Sequence, residues 1–340
     1  MRKAAARCSQ SFRSIQRDGA TCAVCIAIPS LDPRSATHSH STLLRRVQGT
    51  PRRKDTVSRV FSGGETVLFQ DLGRLLRLAK DLGMRTTVTS NGMLLNERRL
   101  AILAAHTDVL AISLDGVPES HNRMRASAEA FARMQANLES VRKSGIDFGF
   151  IFTLTQHNVN ELGWVAQFAA EQGAKLFQIH PLAGVGRAAD LLSGSRPDEM
   201  ESAFAFLEAE RIRQEYQDRL FVQLGVFHRE LVAKFPERFY ADEASIEPRL
   251  LAKCVTPLVV EAEGVVVPLG YGFARRYAVG NLLRAPLRQL APQWIATRYA
   301  EFRKLCQTVY AEACRPSQLP FLNWYELIEL RSQTAAAATA

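Results

Sequence analysis

Phe61-Ser62-Gly63-Gly64-Glu65 and, after a helical pattern, Arg85-Thr86-Thr87-Val88-Thr89-Ser90-Asn91-Gly92 are the stretches that decide the fold of this chain. The first ends a short apolar strand in a glycine turn, where the backbone can approach a ligand with no Cβ in the way. The second is a β-branched run closed by turn residues. Because a helical pattern over Gln70–Leu82 joins them, the two strands form one βαβ unit with polar loops at both strand ends.

The same alternation continues to about residue 226. Strands are predicted at Val57–Phe61, Arg85–Thr89, Val109–Leu114, Phe148–Leu154, Leu176–Ile179 and Leu220–Val226. Helices are predicted at Gln70–Leu82, Asn96–Ala105, Ala128–Ser144, Val159–Gln172 and Pro197–Tyr216. Asn158 with Glu161 three residues later predicts a capping pair at the start of the fourth helix. About six β/α repeats predict an α/β fold, a partial (β/α)6 TIM-like barrel with a small C-terminal hairpin-plus-helix extension.

Composition limits the classes of function. At 340 residues and 47% hydrophobic, the chain can bury one large core. No apolar run is long enough to cross a bilayer, so we expect a soluble protein without a membrane partner. Six cysteines without a secretory segment favour a reducing compartment, and we expect the cytoplasm.

The net charge of +9 lies entirely in the first 60 residues, which hold 12 basic and 3 acidic side chains. The remainder is balanced at 31 of each, so a nucleic-acid partner is not expected. Residues 1–56 show no sustained period, which favours disorder or, less strongly, a transit peptide. The expected organisation is therefore this segment, a barrel over residues 57–245, and an extension over residues 250–330.

Polar residues stand at the ends of five successive predicted strands. In a parallel barrel these ends meet at one rim, where binding sites lie. Any single member is as well explained by a turn, but the whole set predicts one site. The set comprises Ser62, Gly63, Gly64 and Glu65, then Ser90 and Asn91, then Ser113, Asp115 and the following Arg125, then Thr153, and last Gln178 and His180.

These residues resemble the radical S-adenosylmethionine (SAM) enzymes, particularly those with a C-terminal SPASM or twitch extension. The resemblance covers Val57 to about Trp324. It implies that the Gly63-Gly64-Glu65 turn holds the methionine amino group of SAM, and that Ser113 and Arg125 hold its carboxylate. It also implies ribose and adenine contacts from the strand-end residues Ser90, Asn91 and Gln178, with Ser62, Asp115 and Thr153 as further candidates for binding the cofactor.

The C-terminal part is also similar to that family. Cys254–Leu269 predicts a hairpin that turns at Glu263-Gly264. In SPASM and twitch domains a second cysteine follows the proline, and here that position is Leu269. The resemblance therefore implies a degenerate extension without an auxiliary cluster, in which Cys306 and Cys314 are buried or inert thiols.

The N-terminal part departs from the family. Its three [4Fe–4S] ligands are spaced Cys-x3-Cys-x2-Cys, whereas this chain offers only Cys22 and Cys25, which are weak metal candidates. If the third base of each codon is read with the first two of the next, with free choice of synonyms, Phe12–Pro29 can read PFNSTRWCDLRCLHCYS. This reading contains the missing motif, with cysteine codons straddling Gly19/Ala20, Ala23/Val24 and Ile26/Ala27. We hypothesise a frameshift over about residues 1–56, and we expect the chain as written to be inactive.

The resemblance implies reductive cleavage of SAM and hydrogen abstraction from a small-molecule or peptide substrate, with an electron donor such as flavodoxin or ferredoxin. Substrate selection would fall to residues 181–340. Two alternatives remain. One is a cluster-free barrel that binds SAM or another ligand as a pseudoenzyme. The other is a barrel lyase or hydrolase using Glu65, Asp115 and His180. The pair Ser113 and Arg125 favours the two interpretations that involve SAM, since acid–base chemistry gives no reason for that pair.

Overall fold

A computed structural model describes residues 23–27, 58–184, 192, 194–240, 251–317 and 320–337. The strands are β1 (Ala23–Ala27), β2 (Ser58–Ser62), β3 (Arg85–Ser90), β4 (Val109–Ser113), β5 (Asp147–Leu154), β6 (Leu176–Pro181), β7 (Phe221–Leu224), β8 (Phe227–His228), β9 (Leu258–Val260), β10 (Val265–Pro268), β11 (Gly280–Asn281) and β12 (Phe321–Leu322). The helices are α1 (Leu72–Asp81), α2 (Glu97–Ala104), α3 (Pro118–Met124), α4 (Ala130–Lys143), α5 (Leu162–Glu171), α6 (Glu199–Tyr216), α7 (Arg229–Lys234), α8 (Leu251–Cys254), α9 (Leu287–Thr297), α10 (Tyr299–Ala313) and α11 (Trp324–Ala337).

The chain divides into two compact units. Of the described residues, the first unit holds 88–184, 192, 194–227 and 320–323, and the second holds 23–27, 58–87, 228–240, 251–317 and 324–337. In the part of the chain described above, no helix is long and apolar enough to cross a membrane.

The sheet of the first unit runs β4-β5-β6-β7, and all of its neighbouring strands are parallel. Its helix-facing side is buried and apolar, as the Phe150 ring of β5 shows by packing 5.8 Å from Phe168 of α5. Fully burying such a ring stabilises the fold by roughly 1.5–3 kcal/mol. The β-branched and aromatic residues of these strands therefore hold the sheet against α4 and α5.

The opposite side of this sheet is more polar and only partly covered. Paired positions in parallel strands point to the same side. The register places Ser113, Ile151, Gln178 and Gln223 in one row across the four strands. A parallel sheet usually buries both of its faces, so a half-exposed polar row marks the side available to a ligand.

In the second unit, β1 is parallel to both β2 and β9. Strands β9 and β10 form an antiparallel hairpin, and β11 extends it. The turn closes with the amide of Gly264 donating to the carbonyl of Glu261, which confirms the hairpin predicted from the sequence. An aromatic cluster of Phe273, Tyr277, Trp294 and Phe302 packs the extension.

All six predicted strands and all five predicted helices occur, with ends shifted by no more than three residues. Val57 lies outside the described residues, and β2 begins at Ser58. Among the elements that were not predicted are β1 and α3. β1 lies inside the segment expected to be disordered. It was not predicted because its five residues are too few to show a period. α3 is short and polar, so it carries no apolar stripe that would have revealed it.

Candidate functional site

A buried carboxylate stands where β4 ends. Asp115 has no exposed surface. Its Oδ1 accepts a hydrogen bond from the backbone amide of Thr153 at 3.1 Å. Its Oδ2 lies 2.6 Å from Nη2 of Arg125. Asp115 therefore connects the loop after β4, the end of β5 and the guanidinium that follows α3.

The charge of this carboxylate is set by two neighbours. Burial alone would raise the pKa of Asp115, but the charge of Arg125 and the hydrogen bond from the Thr153 amide lower that pKa below its ordinary value of 3.8. The carboxylate therefore stays ionised near neutral pH. A group held in this way is a poor general acid or base, which weighs against the lyase or hydrolase alternative.

His121 completes the buried cluster around Asp115. Its ring is fully buried, and its Nδ1 accepts the backbone amide hydrogen of Asp115 at 3.2 Å. The same Nδ1 is 3.6 Å from Oδ2 of Asp115, and the ring meets Phe131 edge to face at 6.4 Å. Since the Nδ1 lone pair is used, the proton of a neutral ring lies on Nε2, which finds no hydrogen-bond partner in the described part of the chain.

Arg125 is the C-cap of α3, and its side chain is 29% exposed. One edge of the guanidinium is anchored on Asp115, whereas its buried Nε has no hydrogen-bond partner among the described residues. At the end of β4, Ser113 is nearly buried. A guanidinium and a serine hydroxyl are donors that suit a carboxylate ligand, because a carboxylate accepts hydrogen bonds only.

Asn158 and Glu161 have a different role from the predicted one. Asn158 donates to the carbonyls of Asp115 and Thr153, both at 2.9 Å, and makes no cap hydrogen bond to α5. Glu161 accepts from the amide of Val117 at 2.8 Å and from the hydroxyl of Ser120 at 2.6 Å. The prediction of a capping pair is therefore wrong. Both side chains instead tie the loop after β5 to the loop after β4, a tertiary contact that spacing along the sequence does not reveal.

The predicted residues after β3 make hydrogen bonds within their own turn, and the predicted residue on β6 bonds to the neighbouring strand. Ser90 Oγ accepts the amide of Gly92 at 3.1 Å, and Asn91 Oδ1 accepts the amide of Met93 at 2.9 Å. These bonds shape the turn after β3. The side-chain amide of Gln178 donates to Oε1 of Gln223 at 2.9 Å across β6 and β7. Gln223 is a polar residue of the half-exposed row that the sequence pattern did not single out.

In the second unit, the turn after β2 has the conformation that its glycines were predicted to allow. Gly63 and Gly64 have φ of +109° and +50°. A side chain would be strained there, which explains the glycine pair. Glu65 is half-buried, and its carboxylate caps the short 3₁₀ turn Thr66–Leu68 by accepting the amide of Val67 at 3.4 Å.

The thiols described by the structure do not fit an iron–sulfur cluster. Burial raises the pKa of Cys254 to about 11 and that of Cys306 to about 12, whereas a ligand must be a thiolate. Within the described ranges, no three metal-binding side chains come together. The predicted metal candidates are not tested by these contacts, since Cys22 and the side chain of Cys25 lie outside the described residues.

Residues 21–169 match the model of the radical SAM superfamily. The chain carries a radical SAM domain. The AdoMet-dependent heme synthase of Methanosarcina barkeri is 31% identical over 146 residues, which are 42% of this chain and 40% of that relative. The match thus spans about two-fifths of the length of this curated relative.

Solved structures share the fold of the radical SAM domain and its extension. Native anSMEcpe with bound AdoMet and Cp18Cys peptide has a TM-score of 0.61 at 15% identity, over 94% of this chain and 98% of that one. SuiB of Streptococcus suis bound to precursor peptide SuiA has a TM-score of 0.62 at 14% identity, over 86% and 70%. The α/β prediction of a partial TIM-like barrel is confirmed by these matches.

Proposed function

We propose that the radical SAM domain binds SAM at the C-terminal ends of its parallel strands and uses it to abstract hydrogen from a substrate. The observation that carries the proposal is Arg125, whose partly exposed guanidinium is anchored on a buried carboxylate at the end of β4. Such a guanidinium matches the carboxylate of the methionine group. The family match over residues 21–169 supplies the identity of the ligand.

Each predicted residue has a role in this proposal. Ser113 and Arg125 receive the carboxylate of SAM, and Gly63, Gly64 and Glu65 receive its amino group. The remaining predicted contacts, to the ribose, the adenine and the walls around them, come from Ser62, Ser90, Asn91, Thr153 and Gln178. Asp115 acts through Arg125, since it has no exposed atom to offer a ligand.

In this family, SAM bound at a [4Fe–4S] cluster supplies the chemistry of hydrogen abstraction from a carbon atom. In this proposal, the predicted residues contact SAM at its two charged ends, and Ser113, Gln178 and Gln223 lie in one row across the sheet of the first unit. An electron donor such as flavodoxin or ferredoxin in the cytoplasm completes the proposed system.

The ligands of the cluster are proposed to be lost through a frameshift over about residues 1–56. The rereading from Phe12 restores Cys-x3-Cys-x2-Cys-Tyr only if the codons at Gly19, Ala23 and Ile26 end in T. Sequencing the gene across this segment tests the hypothesis, and any other third base at one of these codons removes a thiolate and ends it.

An iron tetrapyrrole is the first substrate class to test, because the matched curated relatives include a heme synthase and an Fe-coproporphyrin III synthase. Peptide substrates are the second class, since SuiB and anSMEcpe share the fold and bind peptides. Turnover assays with the frame-corrected protein separate the two classes, and product formation from neither would remove both.

The SAM site itself is tested by calorimetric titration of the chain with S-adenosylhomocysteine (SAH) and with 5′-methylthioadenosine. These compounds share the thioadenosine part, but only SAH has an amino-acid group. We expect SAH to bind at least about tenfold more tightly, and Arg125→Gln to remove the difference, because charge-assisted hydrogen bonds are the strong ones. Arg133→Gln, which changes an exposed ion pair on α4, is the control. Equal affinity of the unaltered chain for both compounds would contradict the proposal.

A further inference from the structure

His121 is a fully buried histidine for which the proposed chemistry has no use. It stands one helical turn before Arg125 on α3, and the amide of Arg125 donates to its carbonyl at 2.9 Å. Residues four apart share one face of a helix. Both side chains meet Asp115, Arg125 through the carboxylate and His121 through the backbone amide.

The contacts around Asp115 form a chain that ends at the guanidinium. His121 Nδ1 fixes the amide of Asp115 at 3.2 Å, and Asn158 fixes its carbonyl at 2.9 Å. The amide of Thr153 fixes Oδ1 at 3.1 Å, so that only Oδ2 remains for Arg125. With the backbone held on both sides, the carboxylate has one orientation. The guanidinium edge that bears the free Nε is oriented with it.

The backbone that follows Arg125 is also held by hydrogen bonds. Asn122 Oδ1 accepts the amide of Phe131 at 2.9 Å, and Asn122 Nδ2 donates to the carbonyl of Ala128 at 2.7 Å. Ala126, directly after Arg125, has a φ of +49°, which is uncommon for a residue with a side chain. The backbone around Arg125 is thus held in an unusual conformation by named contacts.

We propose that His121 is a positioning residue that acts through Asp115 to aim the free edge of Arg125 at the carboxylate of SAM. This inference rests on the proposed function. It requires Nδ1 of His121 to accept the Asp115 amide. If that acceptor is removed, the buried amide loses its partner, Asp115 shifts, and the guanidinium loses its anchor.

Two substitutions separate this role from simple packing. His121→Phe keeps a buried aromatic ring beside Phe131 but has no acceptor. His121→Asn is smaller but keeps an acceptor near the Nδ1 position. If packing alone matters, the Asn variant loses more affinity for SAH than the Phe variant does. If positioning matters, the Phe variant loses more affinity for SAH.

The test measures the dissociation constants of SAH and 5′-methylthioadenosine for the full chain and both variants. We expect His121→Phe to weaken SAH binding about tenfold, to leave 5′-methylthioadenosine within about twofold, and so to remove the discrimination. His121→Asn should keep most of it. Should the Phe variant fail to fold, Asp115→Asn, which removes the charge that anchors the guanidinium, must give the same selective loss.

An unchanged ratio of the two constants in His121→Phe, or an equal loss for both compounds, would overturn the inference while leaving the proposed SAM site intact. If the unaltered chain does not distinguish the compounds, the proposed SAM site fails, and the inference fails with it. The two failures are therefore distinguishable.

Discussion

At the scale of single residues, Asp115 makes four contacts, two through its carboxylate and two through its own backbone. Its carboxylate meets a guanidinium and a backbone amide, and its own amide and carbonyl are each held by a side chain. A buried charge without a partner is costly, so these contacts make the carboxylate tolerable. They also fix the guanidinium of Arg125 near the end of β4.

Replacing Asp115 by asparagine should destabilise the fold by about 3 kcal/mol, because the change removes one partner of a buried ion pair. The free energy of unfolding from urea titration measures this. Glu129→Gln, which alters an exposed pair with Arg133, is the matched control, and its effect should stay below about 0.5 kcal/mol. Similar losses in both variants would contradict the assigned importance of Asp115.

The same residue predicts a dependence of stability on pH. The folded-state pKa of Asp115 is held below its ordinary value of 3.8 by Arg125 and the Thr153 amide against the effect of burial. A lowered pKa contributes stability that is present above the unfolded-state value and is lost as the pH falls through the folded-state value.

The difference in unfolding free energy between the unaltered chain and Asp115→Asn should therefore be constant from about pH 5 to 8 and shrink below about pH 4. Urea titrations at a series of pH values measure it. A difference that grows on acidification would show that burial dominates and that the pKa is raised.

The sequence could predict the place of a residue when the signal for it lies nearby along the chain. Ser113, Asp115 and Arg125 stand after a predicted strand, so their place at a strand end was predictable. His121 was likewise placed at the end of this strand, whereas Asn158 and Glu161 were predicted only as a capping pair. The partners of these two lie as many as 44 positions away along the chain, and only the fold brings those partners near.

At the scale of elements, the loop between β4 and α3 packs closely against the start of α5. A Cβ at Gly116 would lie 1.9 Å from Glu161 Oε2 and 3.0 Å from Cβ of Ser120, and its φ is +141°. Glu161 is not free to move aside, since its carboxylate holds Val117 and Ser120.

Gly116→Ala should therefore cost more stability than Gly145→Ala, which has φ of +72° but open space around the new atom. We expect about 1 kcal/mol for Gly145→Ala from backbone strain alone, and at least about twice that for Gly116→Ala. Thermal or urea unfolding of both variants measures this. Equal losses would show that the carboxylate of Glu161 moves away at no cost.

The elements themselves were largely predictable, because the buried strands are rich in β-branched and aromatic residues and the helices carry apolar periods. α2 also begins where its sequence indicates, since Asn96 caps it by accepting the amide of Arg99. α3 and β1 were missed because each is too short to show a period. The partners of β1, which are β2 and β9, lie far from it along the chain.

At the scale of the whole molecule, the match to the radical SAM model spans residues 21–169, and it begins inside the N-terminal 60 residues that carry all the net charge. Cys254 and Cys306 are buried in the second unit with raised pKa values, so these two thiols do not replace the missing motif. The sequence could reveal the family because motifs at strand ends are local. It could not reveal the substrate, because substrate contacts depend on tertiary packing.

The central claim is that this chain is a radical SAM enzyme whose cluster ligands are hidden by a shifted reading frame. The most direct test is to reconstitute the frame-corrected and unaltered proteins anaerobically with iron and sulfide, and to measure 5′-deoxyadenosine formed from SAM under reduction. The account predicts 5′-deoxyadenosine and about four irons per chain from the corrected protein and neither from the chain as written. No 5′-deoxyadenosine from a corrected protein that holds its iron would contradict it.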